Sequence, residues 1–63
     1  MHDYKLFLKG APEPVSIRAD DVNMVSADGP SMGAYLNFWR TGAGGEWTVA
    51  AVPLEEVRYV LSE

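Results

Sequence analysis

Apolar and polar residues alternate along this chain in short runs, and the runs are separated by turn formers. That pattern predicts antiparallel strands rather than helices. Tyr4–Lys9 sets Tyr4, Leu6 and Leu8 on one face and Lys5, Phe7 and Lys9 on the other, a half-buried strand whose lysines guard the exposed side. Gly10–Pro14 ends it, because Pro12 and Pro14 cannot donate to a ladder. Val15–Ala19 alternates again, with Val15, Ile17 and Ala19 expected to point inward. Asp20 and Asp21 interrupt the run as a bend, and Val22–Val25 resumes it. Ala27–Gly33 reads as a loop, carrying Asp-Gly and Gly-Pro turn signals.

The clearest signal lies between Tyr35 and Val52. Two aromatic and β-branched runs, Tyr35–Arg40 and Trp47–Val52, flank Thr41-Gly42-Ala43-Gly44-Gly45-Glu46, which predicts a hairpin. Leu36 and Phe38 share one face of the first strand; Tyr35, Asn37 and Trp39 share the other.

The last segment supports two readings. Pro53-Leu54-Glu55-Glu56 starts like a helix, with proline first and two acids in the first turn, and Leu54, Val57 and Leu61 fit helical spacing. Val57, Tyr59 and Leu61 also alternate with Arg58 and Val60 in a run rich in strand formers. The preferred reading is one helical turn followed by a terminal strand from Val57. The fold class predicted is all-β: a small five-stranded antiparallel SH3/Sm-like barrel or roll with a single helical turn before its last strand. Curling of this kind is how such sheets hide their edges.

Composition narrows the chemistry. Sixty-three residues fit one small domain, residues 1–63, with a thin stability margin. There is no cysteine to staple it, and His2 is the one histidine, which excludes the usual zinc site. A chain so limited needs a compact core or self-association. Nine acids oppose five bases for a net charge of −4, which repels phosphate backbones. The N-terminus lacks a basic region followed by an apolar core, and no apolar run reaches the roughly 20 residues of a membrane-spanning helix. A cytoplasmic protein is expected.

With YKLFLKG, VSIRADDVNMVSADG and WTVAAVPLEEVRYVLSE in place, the chain loosely resembles Sm-like and SH3-like small β-barrels over most of its length. In the Sm-like family a bent strand carries aspartate followed by Met-Asn, and the chain ends in an apolar strand, a tight turn and a final strand reading like Ile-Arg-Tyr. Here Asn23-Met24 reverses the first motif, and Pro53-Leu54 stands where the family places the Arg-Gly of its RNA pocket. The sequence also looks like short proteins of high-GC bacteria and their phages.

Few residues group into candidate chemistry. Asp20, Asp21, Asn23 and Asp28 offer oxygen ligands, but not at the spacing of a calcium loop; an aspartate capping backbone amides at a bend is the better account. Gly42-Ala43-Gly44-Gly45 is followed by a strand, not by the helix N-terminus that a phosphate cradle needs, so a turn requiring positive φ is expected. His2 falls in a terminus expected to fray. Glu55 and Glu56 point in different directions and form no acid–base dyad. No catalytic residue, metal site or cofactor is assigned.

What remains is the aromatic face. Tyr35, Asn37 and Trp39 oppose the core side of their strand, Arg40 adjoins them, and Trp47 is expected to join them across the turn. Aromatic residues with an arginine suit a protein-binding hot spot, or stacking on bases. The alternative is that both faces are covered and an indole fills the barrel. The function expected is a non-catalytic protein-interaction module, an accessory or phage-type inhibitor or assembly protein that forms a homo-oligomer. A single-stranded nucleic-acid binder is the alternative, and it would need Lys5, Lys9, Arg18 and Arg40 to cluster with Trp39. An acidic mimic of DNA is a third class.

Overall fold

A computed structural model describes residues 1–26 and 33–63; the predicted loop lies almost wholly outside them, Asp28 included. The chain is all-β, with strands β1 (His2–Leu8), β2 (Val15–Ala19), β3 (Asp21–Val25), β4 (Tyr35–Gly42), β5 (Gly45–Pro53) and β6 (Val57–Ser62). The proline-led turn is a single 3₁₀ turn, Leu54–Glu56, which ends as Val57 enters extended backbone. The terminal segment is thus a turn and a strand, as the alternation of Val57, Tyr59 and Leu61 predicts.

The all-β class holds, but in place of the expected five-stranded barrel or roll there are six strands and no closed barrel. The strands make two antiparallel three-stranded sheets in the orders β2-β1-β6 (sheet A) and β3-β4-β5 (sheet B). Six strands appear because the Asp20 bend is a corner at which one run leaves sheet A and enters sheet B. The corner is fastened by backbone and side chain together. The Asp20 amide donates to the Trp39 carbonyl at 2.9 Å, and its carboxylate accepts from the Thr41 amide. Asp21 caps its neighbour, accepting from the Val22 amide at 2.8 Å. Closure fails because β2 and β6 bound sheet A, and β3 and β5 bound sheet B, with no ladder joining one sheet to the other.

The two sheets share one small core. Tyr4 and Leu6 of β1, Ala19 of β2 and Phe38 of β4 are its fully buried members. Leu8, Ile17, Val22, Leu36, Ala50, Val52, Val57 and Val60 pack around them. Tyr4 and Phe38 meet edge to face with centroids 5.4 Å apart, joining the central strands of the two sheets. Alternation places most of these residues correctly. Val15, expected inward, is 44% exposed at the start of β2; Val57 and Val60 both pack on the core while Tyr59 and Leu61 are exposed, because the register shifts between Phe7 and Leu8. His2, expected to fray, pairs with Ala19 inside β1.

The hairpin closes more tightly than the sequence suggests. Gly42 pairs with Gly45, leaving Ala43 and Gly44 at the tip. The positive φ falls on Gly45, at 105°, not on the two tip residues. Only glycine takes that conformation without strain, as in turns that end in a glycine bulge.

The result is a slab. Its Cα dimensions are 35 × 31 × 12 Å, and the short one corresponds to two stacked sheets about 10 Å apart. The radius of gyration, 12.3 Å, exceeds the ~10.6 Å usual for 63 residues. The accessible surface, 4451 Å², exceeds the ~4,000 Å² usual for 6.9 kDa.

Candidate interaction surface

Sheet B carries the predicted site. Tyr35, Asn37 and Trp39 alternate with Leu36 and Phe38 along β4, so they face away from the core and are half-buried. Register then decides which neighbours join them, because directly paired residues share a face. Trp39 stands opposite Asp21 of β3 and Thr48 of β5, Asn37 opposite Asn23, and Thr41 opposite Glu46. An open groove of ≈ 490 Å³ on this sheet is lined by Asn23, Asn37, Trp39, Glu46, Trp47 and Thr48.

Trp47 lines the groove together with Asn37 and Trp39, although in the ladder it pairs with Arg40. The Trp47 ring rests over Gly42, where an added Cβ would lie 3.0 Å from Cη2. Arg40 is drawn toward the N-terminus, its guanidinium donating to Met1 Sδ at 3.1 Å. Of the five residues predicted as one cluster, Asn37, Trp39 and Trp47 line the groove, and Tyr35 and Arg40 are not among its lining residues. The β5 residue Val49 has no partner in the ladder, because the register shifts between Phe38 and Trp39. This bulge restores Ala50 and Val52 to the core side.

Asp21, Asn23, Glu46 and Thr48 escaped sequence reasoning. The signal was present in the spacing: closing the glycine turn at Gly42 and Gly45 pairs Arg40 with Trp47, and Trp39 with Thr48. The partner of β4 on its other side could not be read this way, since β3 is joined to it through a long connection rather than a tight turn.

Sheet A presents a different exterior. Phe7 and Tyr59 are register partners whose rings stack at 4.4 Å and 22°. Tyr59 is 48% and Leu61 50% exposed. Lys5 donates to Ser16 Oγ at 3.1 Å, and Arg18 Nε lies 3.4 Å from Asp3 Oδ1 in a pair well exposed to solvent. The basic residues proposed to gather around Trp39 for nucleic acid are thus dispersed. Lys5 and Arg18 belong to sheet A, Lys9 follows β1, and Arg40 does not line the groove.

Among the described residues no group of three or more His, Asp or Glu side chains is placed to hold a metal ion. No helix among them is long and apolar enough to cross a membrane. Tyr4 is a group whose titration clearly shifts. Burial pushes its hydroxyl above the usual tyrosine range, and the nearby Asp21 and Asp20 carboxylates add to the rise.

These features define an all-β, two-sheet chain with unpaired sheet edges and a polar, indole-centred groove. No protein-family model, curated protein or solved structure matches it.

Proposed function

We propose that this chain is a non-catalytic protein-interaction module that self-associates, in the manner of an accessory, assembly or phage-type inhibitor protein. One observation carries the reading. The slab exposes more surface than a chain of its mass ordinarily does, and large apolar side chains lie exposed on its edge strands and 3₁₀ turn. Trp47 and Val49 lie on β5, Leu54 on the 3₁₀ turn, and Tyr59 and Leu61 on β6, all exposed. From Trp47 to Leu54 there is no charged residue to discourage another chain. A core with four fully buried members is small for independent stability. Covering the β5–β6 side with protein would add the missing burial.

Light scattering after gel filtration tests this. A mass above that of one chain at micromolar concentration, falling on dilution, is the expected result. Exchange of Tyr59 and Leu61 for serine should shift the balance toward monomer. A chain that stays monomeric at every concentration and captures no protein would refute the proposal. A salt-dependent shift on single-stranded oligonucleotides would instead favour nucleic acid. None is expected, since Glu46 lines the groove beside both indoles and the chain carries a net charge of −4.

A further inference from the structure

We propose that the Trp39 groove receives a cationic side chain, arginine foremost, from a basic segment of a different protein. The inference rests on the interaction-module reading and names the chemistry of the partner.

Three observations converge on it. Trp39 stands on the central strand of sheet B and shares its groove with Glu46 of β5, one pair further along, while Asp21 is its register partner on β3. An indole face attracts cations, and carboxylates beside it hold the positive charge in place. Second, neither β3 nor β5 contains a lysine or arginine, and the one in β4, Arg40, does not line the groove. The groove has a carboxylate and no cation of its own to neutralise it. Third, Asn23, Asn37 and Thr48 add neutral oxygen acceptors to the lining. A guanidinium fits this set better than an ammonium. It is planar, so it stacks on the ring while its five donors reach carboxylate and amide oxygens at the rim.

A second copy is the weaker occupant. The chain carries nine acidic residues against five basic ones, so a copy offers little positive charge, and the exposed Arg58 of β6 lies within the side already given to self-association. Self-association has the apolar β5–β6 side available to it, and the groove is left for another protein.

The test uses the full chain with both indoles, the Trp39 N–H resonance being assigned by its absence from the Trp39→Phe spectrum. That resonance is followed while a short arginine peptide is titrated in, and again with a peptide in which citrulline replaces arginine. Saturable movement is expected with arginine, and binding weaker by about tenfold with citrulline, which keeps the shape and loses the charge. Glu46→Gln and Asp21→Asn should each weaken the arginine response severalfold while circular dichroism stays that of the parent. Added salt should weaken it too. Equal responses to the two peptides would overturn the proposal, as would no response, or carboxylate variants that bind as well as the parent. An indole signal that moves with chain concentration rather than with peptide would place a second copy in the groove and also overturn it. If the peptide fails while light scattering still shows assembly, the cation site falls and the interaction reading stands.

Discussion

The two sheets are alike on the inside and opposite on the outside. Each has three antiparallel strands and gives a central aromatic, Tyr4 or Phe38, to the shared core. Outside, sheet A shows lysine, arginine and an exposed Phe7–Tyr59 stack. Sheet B shows Trp39 among two asparagines, a threonine and two carboxylates. A core demands only apolar residues at alternate positions, so the two inner faces converge. Nothing in folding demands that the outer faces differ. The contact function proposed for this chain rests on their difference.

The largest effect should come from breaking what the sheets share. Phe38→Ala removes a fully buried ring from the joint between them and should cost about 3–5 kcal/mol. A 63-residue domain has only about 3–9 kcal/mol to lose. Near-complete loss of the β-type circular dichroism spectrum at 37 °C is therefore expected, for both sheets at once. Survival of one sheet would show that they are separate units.

Breaking the corner comes next. Asp20→Ala takes the acceptor from the Thr41 amide and the partner from the N-terminal ammonium, 3.7 Å away. A loss of about 1–2 kcal/mol is expected in denaturant titration, with partial recovery in Asp20→Asn, which keeps an acceptor oxygen. No loss would mean that the backbone turn at Asp20 holds without its side chain.

High pH offers a gentler way to loosen the joint. The Tyr4 hydroxyl ionises above the usual tyrosine value in the folded chain, while an unfolded tyrosine ionises near pH 10. Above that pH the unfolded state holds fewer protons than the folded one. Stability is therefore full below about pH 10 and falls as pH rises through the folded value. Tyr4→Phe should flatten that part of the stability curve.

The smallest effects on folding should be outside. Tyr59→Ser removes half of an exposed stack and should cost about 0.5–1.5 kcal/mol. Glu46→Gln should change stability by less than about 0.5 kcal/mol, since Glu46 is exposed. A large loss from Glu46→Gln would assign the sheet B carboxylates to folding and not to binding.

Much of this architecture was legible. Tyr4, Leu6 and Leu8 fall inward because alternation is a local property of a strand, and Pro53 with two acids announces the 3₁₀ turn for equally local reasons. What alternation cannot say is whether edges meet. The barrel was expected because open edges are a liability, yet β2-β3 and β5-β6 remain apart, and only the three-dimensional course of the Asp20 corner decides that. The candidate face was half legible. Tyr35, Asn37 and Trp39 follow from opposing Leu36 and Phe38. Trp47 was placed with them by nearness across the turn, and it lines the groove beside Asn37 and Trp39. Asp21 and Glu46 reach Trp39 through register, which links strands distant in sequence.

The central claim is that this slab is completed by contact with other protein, first of all with itself. Thermal unfolding followed over a wide range of chain concentration tests it most directly. The account requires a midpoint that climbs as the chain becomes more concentrated, and climbs less when Tyr59 and Leu61 are serine. A midpoint that stays fixed across that range, in a sample whose mass remains 6.9 kDa, would contradict it.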